Sequence, residues 1–361
     1  MTAGPNISSR FCDLVGITYP VVQEGLGPYK TVQLAAAVSN AGGLGTVSIP
    51  GISEDPAAGS RKLRGYLEQA CALTDRPLAV NIPVGSASDG AILPFSAAYI
   101  SAVVEAVGDP EIAARLKVIT TSAGPPGVVR PLIAGSGLIH MHKVGGTRQA
   151  VRARAEGADV IIASGFEAGG HTHARPVHTF VLGPSVAQAV DCPVVLAGGI
   201  RDGAGVAAAF ALGADAVALG TRFVASYDNS DWHPAYAQRI LSATEADDIT
   251  FMAVYGPSRA LPSRGVDELA EIEVSGTMSV AQVTAWKDDR LIRAQRDGEM
   301  DAGILPAGQI SGAINDLIHV AEFVPRVMAD AVEILRSLQA RTLVADVAGR
   351  VAGVAEGVAV Q

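Results

Sequence analysis

Eight short apolar runs between residues 20 and 219, separated by Ala-rich stretches of helical period, constrain this fold more than any other feature. They lie at 20–24 (PVVQE), 44–48 (LGTVS), 78–82 (LAVNI), 117–121 (KVITT), 138–142 (LIHMH), 159–163 (DVIIA), 193–197 (PVVLA) and 215–219 (DAVAL). Short apolar runs bounded by turn residues read as strands buried on both faces, the habit of a parallel sheet. Eight of them, each followed by room for a crossover helix, predict an α/β protein built on a closed (β/α)₈ barrel, a TIM barrel. The helices have legible ends. Thr31 to Asn40 stops at Asn40-Ala41-Gly42-Gly43, an Arg-rich helix stops at Gly157, and Gly203 to Leu212 stops at Gly213. The phrases EGADVIIA and LGADAVAL nearly repeat each other, an internal echo of one αβ unit.

The barrel core is expected over residues 15–225. Residues 226–316 are more polar and lack the alternating pattern, so they read as an appended, mostly helical segment that lids the barrel mouth and shapes the substrate site. Helical period returns over 317–341 as a closing helix, and 342–361 reads as a tail.

Composition narrows the chemistry. The 361 residues carry a net charge of −9, which argues against nucleic acid, since phosphate contacts need clustered Lys and Arg. No apolar run approaches the roughly 20 residues that a bilayer requires, and no signal-peptide pattern opens the chain. Cys12, Cys71 and Cys192 form no CxxC and no paired framework, which points to a reducing, cytoplasmic setting. Cys192 precedes its strand and the other two lie outside the strand-end loops, so covalent thiol catalysis is not expected. GxSxG and HExxH are absent, and no GxGxxG follows the first strand.

In a (β/α)₈ barrel the active site forms at the C-terminal strand ends. Taken in order, those ends offer Gln23, Glu24 and Gly25, then Asn81, Ser122 and Lys143. Ser164 and the loop Glu167 to His171, with Gly169 and Gly170, come next, followed by Gly198 and Gly199, then Leu219, Gly220 and Thr221. Loops after the seventh and eighth strands are the usual phosphate site of this fold, so AGGI at 197–200 and LGTR at 219–222 predict a phosphate-bearing ligand; the bland reading is a pair of tight turns. His171 follows a strand in a Gly-rich loop and is the candidate base. Its unperturbed pKa lies near neutrality. His140, His142, His173 and His178 raise the question of a metal, but the third ligand and the carboxylate that such a site needs are not evident, and no metal is expected.

Taken together, PVVQEGLG at 20–27, LAAAVSNAGGLG at 34–45, VNIPV at 80–84, GADVIIASGFEAGGH at 157–171, PVVLAGGIRDGAGVAAAFALGADAVALGTRF at 193–223 and ILPAGQISGAI at 304–314 resemble the nitronate monooxygenase family. That family, formerly called 2-nitropropane dioxygenases, comprises FMN-dependent TIM barrels and includes flavin-type enoyl-acyl-carrier-protein reductases. The resemblance implies FMN as cofactor, with Asn81 and Gly169 against the ring, Gly199, Gly220 and Thr221 at the phosphate, and His171 as catalytic histidine. It also implies that Gln309 sits in a Gly-Gln turn returning to the barrel mouth. Two positions depart from the family pattern: Leu26 stands where a methionine is usual, and Ser164 where a glutamine is usual. The histidine is followed by Thr172-His173-Ala174-Arg175 rather than a small, Gly-containing stretch. The implied activity is oxidation of nitronates or nitroalkanes with O2. The alternative is an NAD(P)H-linked reductase or dehydrogenase of an enone or acyl-thioester, and a third reading is a flavin-free barrel that binds a phosphorylated metabolite. A small-molecule substrate, no nucleic acid, no membrane, and a monomer or homodimer complete the expectation.

Overall fold

A computed structural model describes residues 6–52, 55–85, 91–254 and 256–341; the expected tail lies outside them. In chain order the strands are β1 (Val21–Gln23), β2 (Gly45–Ser48), β3 (Leu78–Val84), β4 (Leu116–Ala123), β5 (Ile139–Val144), β6 (Val160–Ser164), β7 (Gly170–His171), β8 (Val194–Ala197), β9 (Ala216–Leu219), β10 (Ile249–Ala253), β11 (Gly256–Leu261) and β12 (Leu305–Pro306). Eight of them form one parallel sheet in the order β1-β9-β8-β6-β5-β4-β3-β2. A parallel bridge between Val22 and Leu44 joins its two edges, with Leu44 N–H donating to Val21 O and Gln23 N–H to Leu44 O, both at 2.9 Å. The barrel is therefore closed, and all eight predicted strands belong to it.

Strand alternation sorts the core into two layers. Val22, Leu44, Ala79, Val118, Met141, Val160, Ile162, Val195, Ala216 and Ala218 fill the barrel interior, and Phe11, on the helix Arg10–Val15, belongs to the same buried cluster. Residues of opposite parity, such as Val21, Ile161, Leu196 and Val217, meet the surrounding helices. The helix Val320–Ala340 packs on the helix Gly203–Ala211, completing the outer ring.

The near-repeat has a physical cause. Asp159 Oδ2 accepts from His140 N–H, and Asp215 Oδ2 accepts from Val194 N–H, both at 2.9 Å. Each acid thereby anchors the neighbouring strand, and each is also ion-paired, to Arg130 and Arg10 respectively. The two GAD phrases are the same strand-entry clamp used twice.

The segment after the eighth barrel strand holds the helices Pro234–Leu241, Arg264–Ser275 and Val280–Ile292, together with a small antiparallel sheet that the sequence pattern did not announce. In that sheet β10 pairs with β11, and β11 pairs with β12 and with β7. The β7 pairing matters for the site, because it ties His171 to Ser258 in register.

Candidate active site

The C-terminal ends of the barrel strands open into one cavity of about 870 Å³. Of the sequence-predicted residues, Glu24, Gly25, Asn81, Lys143, Gly169, Gly170, His171, Gly198, Gly199, Leu219, Gly220 and Thr221 line it together. Ser122 and Glu167 do so as well. Three others do not. Gln23 has the parity of Val21, so its amide turns outward and donates to Thr46 O at 2.8 Å. Ser164 is buried beneath the 165–173 loop, against a small void shared with Phe166 and His173. Gln309 is exposed and contributes only its backbone N–H, to Glu167 O at 2.9 Å; its neighbours Gly308 and Ile310 reach the cavity instead.

Backbone conformation shapes the floor. Gly198 and Gly199 hold φ of 102° and 73°, values that other residues seldom adopt. A Cβ on Gly220 would meet only Glu24 and Leu26, at 3.6 Å, so that surface is bare backbone with space in front of it. Gly25 serves the opposite need: a Cβ there would collide with the Asn81 side chain. Thr221 Oγ1 accepts from Gly308 N–H at 2.9 Å, which pulls the returning 304–314 loop over the end of β9.

Lys143 Nζ lies 3.4 Å from Glu24 Oε2, a partly buried pair, while the other carboxylate oxygen, Oε1, is buried with no hydrogen-bond partner. His171 lines the cavity and is exposed to its open space, although protein surrounds it closely on the other sides. Burial first, and then the positive charges of Lys287 and Lys143, lower its pKa to about 3, so the imidazole is neutral and able to accept a proton. Glu167, the acid of the same loop, has another duty. It accepts from Thr179 N–H at 3.0 Å and Thr179 Oγ1–H at 2.8 Å, fixing the start of the helix Thr179–Ala189. Burial pushes its carboxyl up, but these hydrogen bonds outweigh burial and hold it below the ordinary value.

The other histidines divide. His140 and His142 share the Thr121 hydroxyl, 2.7 Å from His140 Nε2 and 2.8 Å from His142 Nδ1. Burial lowers their pKa values to about 4 and about 3, so both rings are neutral. His142 and His173 border the cavity, whereas His178 packs edge-on against Phe166. Sequence reasoning missed Trp232, Tyr236, Ser258, Lys287, Asp288 and Gln295, all of which line the cavity from the appended segment. One signal was available. Lys287 and Asp288 share helical spacing with Val283 and Leu291, which puts two charged residues on the buried stripe of the helix Val280–Ile292.

Comparison with known proteins agrees with this geometry. The sequence profile of the nitronate monooxygenase family matches residues 8–330. The (3aS,4S,5R,7aS)-5-hydroxy-7a-methyl-1-oxo-octahydro-1H-indene-4-carboxyl-CoA dehydrogenase of Rhodococcus jostii is 29% identical, covering 92% of this chain and 98% of that protein. The nitronate monooxygenase of Pseudomonas aeruginosa is 31% identical, covering 72% of this chain and 81% of its own length. Among solved structures, FabK from Thermotoga maritima superposes with a TM-score of 0.81 at 32% identity, covering 93% of this chain and all of that one. No helix among the described residues is long and apolar enough to cross a membrane. The closed barrel, the Gly-rich floor and the histidine loop converge with these likenesses on one conclusion: the chain belongs to the nitronate monooxygenase family of flavin-dependent oxidoreductases.

Proposed function

We propose that the cavity binds FMN and that the enzyme oxidises a nitronate or nitroalkane, with O2 as electron acceptor. The observation that carries this reading is His171, which lines the cavity at the strand ends with Lys143 and Lys287, its backbone laddered to Ser258. The residues present fit the cofactor. The bare backbone at Gly199 and Gly220, beside Thr221, suits a phosphate, which backbone N–H groups bind well where no side chain intervenes. Asn81 and Gly169 would meet the ring. The unpartnered Glu24 Oε1 offers an acceptor to a hydroxyl or ring N–H. When bound, FMN supplies the two-electron redox chemistry and the reaction with O2.

The protein's own contribution is position and proton handling. His171 removes a proton from the carbon of a neutral nitroalkane, or donates no proton and simply orients a substrate that arrives as the anion. Its ladder to Ser258 fixes the backbone behind the ring. The segment 226–316 shapes the substrate end of the cavity through Trp232, Tyr236 and Lys287. The test is the visible spectrum of the purified protein, followed by anaerobic addition of a nitronate. Bleaching of a bound flavin supports the reading, and a colourless protein that takes up no FMN refutes it.

A second reading has its own support, the near-full-length likeness to a carboxyl-CoA dehydrogenase. In that case the flavin would be reduced anaerobically by an acyl-thioester or by NAD(P)H and left unchanged by a nitronate.

A further inference from the structure

The helix Val280–Ile292 buries Val283, Thr284, Lys287, Asp288 and Leu291, a single stripe at helical spacing. Packing alone asks for apolar residues on such a stripe, and lysine is almost never buried this far unless it is paired. Lys287 is 5% exposed, and it lines the cavity beside Asp288 and Leu291. It stands close enough to His171 for its charge to act on the imidazole, ahead of that of Lys143. Lys143 has the Glu24 carboxylate 3.4 Å away; Lys287 comes from the appended segment, where burial lowers its pKa and the acids Asp288 and Glu273 oppose that shift.

We propose that Lys287 binds the anionic oxygen of the substrate, so that the site recognises a planar oxyanion through an ammonium supplied by the appended segment. This inference rests on the oxidation reading above and names the partner of His171 in it. For a neutral nitroalkane, the proton on carbon passes to His171, and the electron pair of the broken C–H bond moves onto the nitro oxygens. Lys287 hydrogen-bonds the charge that develops there and keeps all its own protons. For a substrate that arrives as the nitronate, no proton moves and Lys287 supplies binding alone. A neutral acceptor and a fixed cation together divide the two tasks, proton removal and charge stabilisation, between two chain segments.

The test uses inorganic nitrate, a planar oxyanion that oxidised flavin does not turn over. Flavin-loaded wild type, Lys287→Met and Lys287→Arg are titrated anaerobically with sodium nitrate, and the flavin absorbance is followed. Wild type is expected to show a saturable change, with Kd raised roughly 10- to 100-fold in Lys287→Met, the loss of one charge-assisted hydrogen bond, and partly restored in Lys287→Arg. Flavin content and melting temperature should stay at wild-type levels. Equal nitrate affinity in wild type and Lys287→Met overturns the proposal, as does loss of flavin from both variants. If the methionine variant does not fold, Lys287→Gln makes the same comparison. If wild type is reduced by a nitronate but shows no nitrate signal, an unchanged KM for the nitronate in Lys287→Met sinks the role of Lys287, and a raised KM upholds it. Failure of wild type to be reduced by any nitronate sinks the oxidation reading instead.

Discussion

His171 and Ser258 face each other in an antiparallel ladder, and Thr172 N–H donates to Pro257 O at 2.8 Å just beyond it. The candidate base is thus held not by the barrel alone but by a strand from the appended segment. That arrangement separates the role of the imidazole from the role of the backbone that carries it, and a side-chain truncation should expose the difference. His171→Ala is expected to retain flavin and melting temperature while turnover falls by about 10²–10⁴, the usual worth of a positioned base. Flavin absorbance per protein and steady-state rates decide; loss of flavin in step with activity assigns the ring a structural role.

The lowered pKa of His171 also fixes the direction of the pH response. A base that must be neutral works at any pH above its pKa, and here that value is about 3 rather than the ordinary value near 6.5. The kcat/KM of the free enzyme should therefore show no acid limb centred near pH 6.5 in wild type. An imidazole titrating at its ordinary value would produce that limb.

Stability should respond to acid through a different pair. His140 and His142 are buried, with pKa values lowered to about 4 and about 3, so the unfolded chain takes up their protons first as pH falls. The stabilisation they contribute is fully present above about pH 6.5 and is lost progressively as pH drops towards their folded values. Each contributes a slope of roughly 1.4 kcal/mol per pH unit in that window. Urea unfolding at pH 7, 6, 5 and 4.5 measures it, and a flat profile over that range would count against the burial of both rings.

Gly220 offers a test of the cavity floor. A Cβ there meets its neighbours only at ordinary contact distance, and its φ of −106° lies outside the left-handed region that favours glycine. Gly220→Val should leave unfolding free energy within about 0.5 kcal/mol, as surface-like substitutions do, yet weaken FMN retention at least tenfold, read by equilibrium dialysis of the flavin. Undiminished FMN affinity would move the phosphate elsewhere.

The Glu24–Lys143 pair invites a double-mutant cycle. Lys143→Met leaves a largely buried carboxylate without its cation and should cost about 1–3 kcal/mol. Glu24→Gln combined with Lys143→Met should recover much of that loss. Thermal melts of the four proteins give the coupling.

The barrel was legible in the sequence because its strands are short, apolar and bounded by glycine or acid, a pattern that parallel burial forces. Strand-end residues were legible for the same reason, since the fold sends them to one mouth. What escaped was anything set by parity or by long-range return. Gln23 sits at a strand end yet faces the helices, because the residue before it takes the interior position. The hairpin β10–β11 was hidden because β11 carries Pro257 and a buried Arg259, which pairs with Asp248 and stacks on the Phe166 ring with its guanidinium carbon 4.7 Å from the centroid. A buried arginine in a strand reads as loop until its partners are known. Lys287 escaped because its helix contacts the site only through tertiary packing.

The bond from Gly308 N–H to Thr221 Oγ1 has a consequence for the order of events during synthesis. One side of the cavity is completed by a loop that leaves the ribosome long after the eighth barrel strand. A nascent chain that has translated only the barrel strands still lacks that side, so the cavity is complete only after the 304–314 loop has followed and returned to β9.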